Sequence, residues 1–286
     1  MTLTWSLIIV VGALLLAPLV GGVLRGLDRK LTARLQGRMG PPLAQPFYDF
    51  GKLVGKSHSV SSRASVAWAW AYFLLTLTAF TLFFLGQDLL VVFFILAFAG
   101  GALAFGAFST RSPYARLGAN RELLQMLAYE PILLLAAVAI YFQTGKFTVH
   151  SVLEAGEPLL LYLPLVFVAV LVALGIKMRK SPFDIAASEH AHQELVRGVY
   201  TEYSGRHLAL IEIAHWYELV LLLAFIALFW AQPLWVGVLI ALGAFFLEIW
   251  IDNIAARLRW SWMVGASWGV GITFIVANLV LLSVLA

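Results

Sequence analysis

LLVVFFILAFAGGALAFGAFS, residues 89–109, contains no charged side chain. An α-helix rises 1.5 Å per residue, so a helix of this length spans about 30 Å, the thickness of the bilayer hydrocarbon. The whole chain has the same character, because 62% of its 286 residues are hydrophobic and only 12% are charged. Soluble domains are nearer half apolar and a quarter charged. The sequence therefore predicts an all-α integral membrane protein.

Similar runs recur along the chain and predict about eight transmembrane helices in one membrane domain, residues 1–286. Their approximate ranges are 3–24, 64–86, 89–109, 122–143, 158–176, 208–231, 233–251 and 262–285. The sixth and seventh runs are nearly continuous. Gln232-Pro233 supplies the turn that separates them, since proline does not continue a helix.

The basic residues are distributed very unevenly between the connecting loops. Of the 19 lysines and arginines, segment 25–63 holds eight, 110–121 three, 177–207 five and 252–261 two, and Lys146 alone falls on the other side. The positive-inside rule makes the basic side cytoplasmic and puts both termini outside. The sequence thus predicts a multi-pass protein of the cell inner (cytoplasmic) membrane.

Two segments on this basic side are longer than turns. Residues 46–57 place Phe47, Phe50, Leu53 and Val54 on one helical face, which predicts an amphipathic helix at the membrane interface. A solvated linker is the alternative interpretation. The loop 177–207 is dense in charge, and its length is typical of a docking or binding surface.

Carboxylates within the predicted spans are costly to insert and indicate function. Glu130 lies in the fourth span, Glu212 and Glu218 in the sixth, and Glu248 near the end of the seventh. Glu212, His215 and Glu218 step by three residues, so they share one helical face and form a candidate proton or ion path. Alternatively, these acids reach interfacial water or pair with an arginine, the candidates being Arg121, Arg206 and Arg257.

A metal site is a rival interpretation. Two Glu-x-x-His units, residues 189–192 and 212–215, together with Glu130 and Glu248 match the ligand inventory of a membrane di-iron enzyme. One unit lies in a loop rather than on a facing helix, and His190 and His192 would diverge on a helix. The chain has no cysteine, so it cannot ligate an iron–sulfur cluster through thiolates.

No nucleotide-binding loop or nucleophile motif is present, so the chain is not expected to be an enzyme by itself. Its basic charge also lacks the aromatic and glycine context of a nucleic-acid site.

Three ordered motifs carry a family resemblance. They are RMGPPLAQPFYDFGKL at 38–53, GANRELLQMLAYEP at 118–131, and PFD at 182–184 followed by ELV at 194–196 and TEYSG at 201–205. Together they resemble the subunit 1 family of respiratory complex I. They resemble more closely the membrane subunit of Ech- and Mbh-type energy-converting nickel–iron hydrogenases and of formate hydrogenlyase.

The resemblance implies a membrane anchor between a cytoplasmic redox arm and ion-pumping membrane subunits. It implies that Glu130 and Glu212 belong to the ion-coupling path. The positions of polar residues within the predicted spans add His215, Glu218 and Glu248 to this path. The loop residues expected to face a chamber are Asp184, Glu189, His190, His192, Glu194 and Glu202. The residues expected to dock the redox arm are Arg38, Gln45, Asp49, Lys52 and Arg121.

Departures from the complex I pattern favour the hydrogenase branch. The stretch from Asp184 to Glu194 is about three residues longer and contains HAHQ at 190–193, and Ala187 replaces a common acid. The resemblance then implies that ferredoxin electrons reduce protons at a nickel–iron site on a partner, coupled to proton or sodium translocation. No cofactor is expected in this chain, and iron–sulfur clusters are expected on partner subunits. The alternative is the quinone-chamber subunit of a complex I-like NADH or ferredoxin:quinone oxidoreductase.

The expected partners are hydrogenase large and small subunits, a ferredoxin-like cluster subunit and antiporter-like membrane subunits. The chain is expected to lie in the lipid bilayer and to bind no nucleic acid.

Overall fold

The computed structural model describes residues 3–57, 62–186 and 197–285. Within these ranges the regular structure is helical, apart from one isolated bridge between Asp88 and Thr148. The α-helices are α1 (Leu3–Leu35), α2 (Gln45–Gly55), α3 (Arg63–Phe84), α4 (Leu89–Phe108), α5 (Pro113–Thr144), α6 (Val149–Glu154), α7 (Leu159–Tyr162), α8 (Pro164–Lys177), α9 (Gly205–Ala227), α10 (Leu234–Ile254), α11 (Trp260–Ala266) and α12 (Thr273–Leu285). Short 3₁₀ turns cover Gly198–Tyr200 and Leu228–Trp230, and a π-helical turn, Ser267–Ile272, joins α11 to α12.

Seven helical segments in the described ranges are long and apolar enough to cross a membrane. They are Ile8–Leu35, Arg63–Phe84, Leu89–Phe108, Pro113–Thr144, Gly205–Trp230, Leu234–Ile254 and Trp260–Val284. Their length and composition confirm the predicted all-α integral membrane fold.

The predicted span 158–176 is not one continuous helix. It is divided into α7 and α8, and α8 has only 14 residues, about 21 Å at the α-helical rise. The break falls at Pro164, which has no N–H and starts a new helix. Asn278 of α12 bridges the break: its amide donates to Tyr162 O at 2.7 Å and accepts from Leu165 N at 2.9 Å. The continuous helix within the predicted fifth span, α8, is therefore shorter than the bilayer core.

Other helix ends also differ from the predicted ranges. α1 continues to Leu35 rather than ending near residue 24, and α5 begins at Pro113 rather than near 122. Charged residues lie on both extensions, where they contact other polar groups at the basic end of the bundle. The amphipathic segment predicted over 46–57 is helical as α2, Gln45–Gly55.

The most enclosed helix is α9, which packs against α1, α2, α3 and α10. Glycines allow these close contacts. A Cβ on Gly21 of α1 would lie 2.6 Å from Cβ of Trp216 in α9. The polar residues of α9 consequently face neighbouring helices rather than lipid.

Candidate functional site

A cavity of about 330 Å³ opens at the basic end of the bundle, between α1, α9 and the residues that follow α8. Most of its lining side chains are charged or polar, among them Asp28, Arg179, Lys180, Glu212 and His215. Such a surface suits water and ions better than an apolar ligand, whose pockets are predominantly hydrophobic.

An ion pair between α5 and the turn after α8 forms one wall of the site. The guanidinium of Arg179 donates to both carboxylate oxygens of Glu122, with Nη2 2.6 Å from Oε1 and Nε 3.2 Å from Oε2. Burial alone would lower the pKa of Arg179, but the Glu122 charge outweighs it and the pKa lies well above its ordinary value. Arg179 is thus a permanent cation at this position.

His215 lies at the inner end of the cavity and contacts polar groups through both ring nitrogens. Nε2 is 3.1 Å from Nη1 of Arg179 and 2.7 Å from the Tyr200 hydroxyl, and Nδ1 is 2.6 Å from the Tyr72 hydroxyl. Arg179 can only donate, so Nε2 is the acceptor and the proton of neutral His215 resides on Nδ1. Nδ1–H then donates to the Tyr72 oxygen, and Tyr72 donates to Glu218 Oε2 at 3.0 Å.

Glu218 continues this network into the bundle. Its Oε1 is 2.8 Å from Nζ of Lys177, the last residue of α8. Lys177 Nζ also donates to the Tyr129 hydroxyl of α5 at 2.8 Å. A small cavity of about 30 Å³ touches Lys177, His215 and Glu218, which is enough room for water. The contacts therefore connect His215 of α9 to Tyr129 of α5.

Glu130 lies at the inner end of the network, next to Tyr129. Both of its carboxylate oxygens are buried, and neither makes a hydrogen bond within the part of the chain that the structure describes. The charges of Lys177 and Glu218 act on it. Glu130 is thus a buried acid whose protonation depends on the charges around it.

Glu212 and Glu248 occupy different surroundings. Glu212 lines the main cavity and also a second cavity of about 460 Å³ between α1, α2 and α9. Glu248 is buried in α10 against Gly175 of α8, where a Cβ would lie 2.6 Å from Glu248 Oε2. The predicted path residues therefore do not form one line, because Glu248 lies to one side of the chain from His215 to Glu130.

The segment 180–186, the stem of the long loop, is fixed from several helices. Lys180 Nζ lies 2.5 Å from Asp28 Oδ1 of α1 and 3.3 Å from Asp252 Oδ2 of α10. Asp252 also accepts from Ser181 N at 2.8 Å. Gln125 of α5 donates to Phe183 O at 2.5 Å. This anchoring places Arg179 directly against His215.

Asp184 and Arg121 belong to the same anchoring. Arg257 Nε is 3.3 Å from Asp184 Oδ1, and Arg121 Nη1 donates to Ile185 O at 3.4 Å. Arg121 thus contacts the loop stem, and its docking of a partner stays a prediction. Glu202 lies beyond the 3₁₀ turn and is half-buried.

The predicted docking helix α2 is tied to α1 by Asp49. Arg29 Nη1 is 2.7 Å from Asp49 Oδ2, and Gln45 Nε2 donates to Oδ1 at 2.8 Å. Burial raises the pKa of Asp49, but these hydrogen bonds and the charges of Arg29 and Lys52 bring the pKa below its ordinary value. Lys52 and Arg38 remain exposed at the basic end.

The structure brings together some predicted residues and adds others. Glu212, His215 and Glu218 face the same polar interior, as the spacing of three predicts. Glu218 pairs with Lys177, and Arg257 pairs with Asp184. Within the described ranges, neither forms the arginine–glutamate pair considered from sequence. Residues that the sequence reasoning missed are Tyr72, Glu122, Tyr129, Lys177, Arg179 and Tyr200. The seven-residue separation of Glu122 and Tyr129 could have signalled their shared face.

Glu189, His190, His192 and Glu194 lie outside the described residues. Among the described residues, no group of three or more histidine, aspartate and glutamate side chains is arranged to hold a metal ion. The di-iron interpretation required Glu130, Glu212, His215 and Glu248 as ligands, and these described residues form no such group.

Known proteins resemble this chain along nearly its whole length. The family model described as NADH dehydrogenase matches residues 6–283. An H-type subunit of the NADH-quinone oxidoreductase of Cereibacter sphaeroides is 30% identical over 309 residues, covering 96% of this chain and 95% of the relative. Its counterpart in the NADH-quinone oxidoreductase of Syntrophotalea carbinolica is 28% identical over 282 residues, covering 84% of each chain.

A solved structure shows the same similarity in three dimensions. One chain of the membrane-bound sulfane sulfur reductase, an archaeal respiratory membrane complex, superposes with a TM-score of 0.87 at 25% identity. The match covers 96% of this chain and 99% of that one. With the three sequence motifs and the helical membrane fold, these likenesses establish that the chain belongs to the NADH dehydrogenase subunit 1 family, as a membrane subunit of a complex I-like respiratory complex.

Proposed function

We propose that this chain is the membrane anchor and ion-coupling subunit of an energy-converting nickel–iron hydrogenase complex. In this complex a cytoplasmic arm reduces protons with electrons from ferredoxin, and neighbouring antiporter-like subunits move protons or sodium. The chain itself carries no cofactor. One observation carries the proposal: a continuous series of polar contacts runs from the cavity at His215 to Tyr129 in the interior, next to Glu130 in the chain.

The contacts suggest how loop movement controls protonation. Nε2 of His215 accepts from Arg179, so it cannot take up another proton while Arg179 stays in place. A shift of the loop stem that withdraws Arg179 exposes Nε2 to the cavity. When Nε2 gains a proton, Nδ1 can release one to Tyr72, and Tyr72 can release one to Glu218. The imidazole returns to neutral and one proton has advanced toward the interior.

The next step transfers charge toward Glu130. Protonation of Glu218 removes the negative partner of Lys177, and the lysine charge then acts on Glu130 without compensation. A nearby cation favours the ionised form of a carboxyl. Glu130 then releases its proton toward an adjoining membrane subunit. Redox events that move the loop thereby drive ion movement without any redox group in this chain.

The polarity of the main cavity favours a hydrogenase over a quinone reductase. A quinone headgroup and its isoprenoid tail require a largely apolar chamber. The main cavity is lined instead by Asp28, Lys180, Glu212 and other charged groups. This argument, together with the HAHQ stretch at 190–193, supports the hydrogenase branch over the quinone-chamber alternative.

The sulfane sulfur reductase provides a second candidate for the reaction of the arm. Its membrane chain superposes on this one over almost its full length. The membrane role would be the same, but the arm would reduce sulfane sulfur rather than protons. In both cases we place the basic side in the cytoplasm, beneath the arm, and both termini outside the inner membrane, with α7 and α8 together forming the eighth crossing.

The test uses the assembled complex in proteoliposomes supplied with reduced ferredoxin. Hydrogen evolution supports the hydrogenase; sulfide release from polysulfide supports the second candidate; quinone-dependent turnover that quinone-site inhibitors block supports the alternative. Glu130→Gln should reduce ion uptake by at least about tenfold while electron transfer continues, as expected on removing a proton carrier. Glu154→Gln, an exposed acid near the opposite end, is the matched control.

Unchanged ion uptake in Glu130→Gln would contradict the coupling path. Purification of this polypeptide alone, with solute transport by it, would replace the subunit assignment with a stand-alone carrier.

A further inference from the structure

Helix α5 contains a proline directly after Glu130. Pro131 lies inside the continuous helix Pro113–Thr144. Proline has no N–H, so the carbonyl four residues earlier, Leu127 O, lacks its usual helical donor. A carbonyl without a donor is especially costly in the membrane, where water is scarce.

Trp268 supplies the missing donor from another helix. Its indole Nε1 donates to Leu127 O at 2.9 Å, although the two residues are 141 positions apart in the sequence. Trp268 lies in the π-helical turn Ser267–Ile272 between α11 and α12. A π turn is rare and is often found at functional positions.

The π-helical turn packs closely against α5 next to Pro131. A Cβ on Gly271 would lie 2.5 Å from Cδ1 of Ile132, the residue after Pro131. Ile132 is completely buried and has little freedom to move away. Ser267, at the start of the turn, is also buried. The contact at Gly271 and the hydrogen bond from Trp268 therefore fix α5 on both sides of Glu130.

We propose that Trp268 is a positioning residue for Glu130. By donating to the carbonyl that Pro131 leaves unpaired, it holds the turn 127–131 in the shape that sets Glu130 beside Tyr129 and Lys177. This inference rests on the proposed coupling role of Glu130. Leu127 and Trp268 are partly exposed on the outer surface of the bundle, so the contact also lies where an adjoining membrane subunit could reach it.

The test is a double-mutant cycle in the assembled complex. Trp268→Phe keeps the ring but removes the donor, and the loss of one hydrogen bond should lower the ions moved per electron pair about fivefold. Trp262→Phe changes another exposed tryptophan of the same span and should have no effect. Pro131→Ala restores an N–H for Leu127 O. In that background Trp268→Phe should cause no further loss, because the indole donor is no longer needed.

Amide hydrogen exchange of peptides covering 127–135 provides a readout that does not depend on activity. Trp268→Phe should accelerate exchange there about fivefold in the wild-type background and leave it unchanged in the Pro131→Ala background. Equal effects of Trp268→Phe in both backgrounds, or equal behaviour of the Trp268 and Trp262 variants, would overturn the inference. If Glu130→Gln alone leaves ion uptake intact, the proposed function fails, but the exchange cycle still tests the positioning contact.

Discussion

Lys177 of α8 and Glu218 of α9 form an ion pair inside the bundle, with Nζ 2.8 Å from Oε1. Their side chains are only 6% and 8% exposed. Each partner also contacts a tyrosine: Lys177 donates to Tyr129, and Glu218 accepts from Tyr72. The pair therefore joins the His215 side of the network to the α5 side. Its charges balance while both groups are ionised, and the proposed coupling depends on disturbing that balance.

Lys177→Met should destabilise the protein by about 3–5 kcal/mol, because it leaves the Glu218 carboxylate buried without a cation. Thermal unfolding of the purified complex measures this loss. Lys177→Met combined with Glu218→Gln removes both charges and should recover much of the stability. The double variant should still fail to translocate ions. Equal stability of the single and double variants would contradict a direct ion pair.

Arg179→Lys should reduce coupling although it keeps the positive charge. Lysine cannot donate to both Glu122 oxygens and to His215 with the geometry of the guanidinium. We expect about a tenfold decrease in ions moved per electron pair, with smaller changes in the electron transfer rate. The pH dependence of ion uptake should also change, since Nε2 of His215 loses its fixed donor. An unchanged pH profile would argue against control of His215 by Arg179.

Lys180→Met should release the loop stem. Asp28 and Asp252 would then be close together in a buried site without their shared cation. Repulsion between them should destabilise the segment by about 3 kcal/mol. Hydrogen exchange of residues 180–186 should accelerate in this variant. Adding Asp252→Asn to Lys180→Met should slow the exchange of residues 180–186 again in part. The control variant Lys52→Met, which changes an exposed lysine, should leave the exchange of residues 180–186 unaffected.

Asp49→Asn should weaken the attachment of α2 to α1 at neutral pH. The pKa of Asp49 is lower in the folded protein than its ordinary value, so its contribution to stability is fully present above that ordinary value. The contribution is lost as the pH falls through the folded-state pKa. A partly exposed pair of this kind contributes on the order of 0.5 kcal/mol. Hydrogen exchange of residues 45–55, measured relative to the intrinsic exchange rate at each pH, should accelerate on acidification in the wild type.

In the Asp49→Asn variant, residues 45–55 should exchange faster than in the wild type at neutral pH. Acidification should cause no further acceleration there. Tyr48→Phe, which alters an exposed neighbour, serves as its control. If acidification accelerates exchange equally in the Asp49→Asn variant, a group other than Asp49 causes the pH dependence.

Local sequence patterns predicted much of the fold, because bilayer thickness and hydrophobicity act on each segment separately. The run at 89–109 became α4, and the amphipathic stretch at 46–57 became α2. At 158–176 the segment is not one continuous helix, because Pro164 and its partner Asn278 divide it. Asn278 lies more than a hundred positions away, so no local pattern could reveal the shared contact.

The candidate site was less predictable for the same reason. Sequence spacing placed Glu212, His215 and Glu218 on one face, since helical periodicity is a local property. It could not show that Lys177 pairs with Glu218 or that Arg179 pairs with Glu122. Both basic residues come from the loop-side end of α8, and both partners come from other helices.

The sequence by itself determined that the chain is a membrane protein, which end is basic, and which family it resembles, because composition and ordered motifs are properties of the linear chain. Only the tertiary structure decided which acids are paired, that Glu130 has no hydrogen-bonding partner among the described residues, and that Trp268 serves the carbonyl left by Pro131. Ion pairs and hydrogen bonds act over a few ångströms. Helix packing therefore determines which distant residues come within that range.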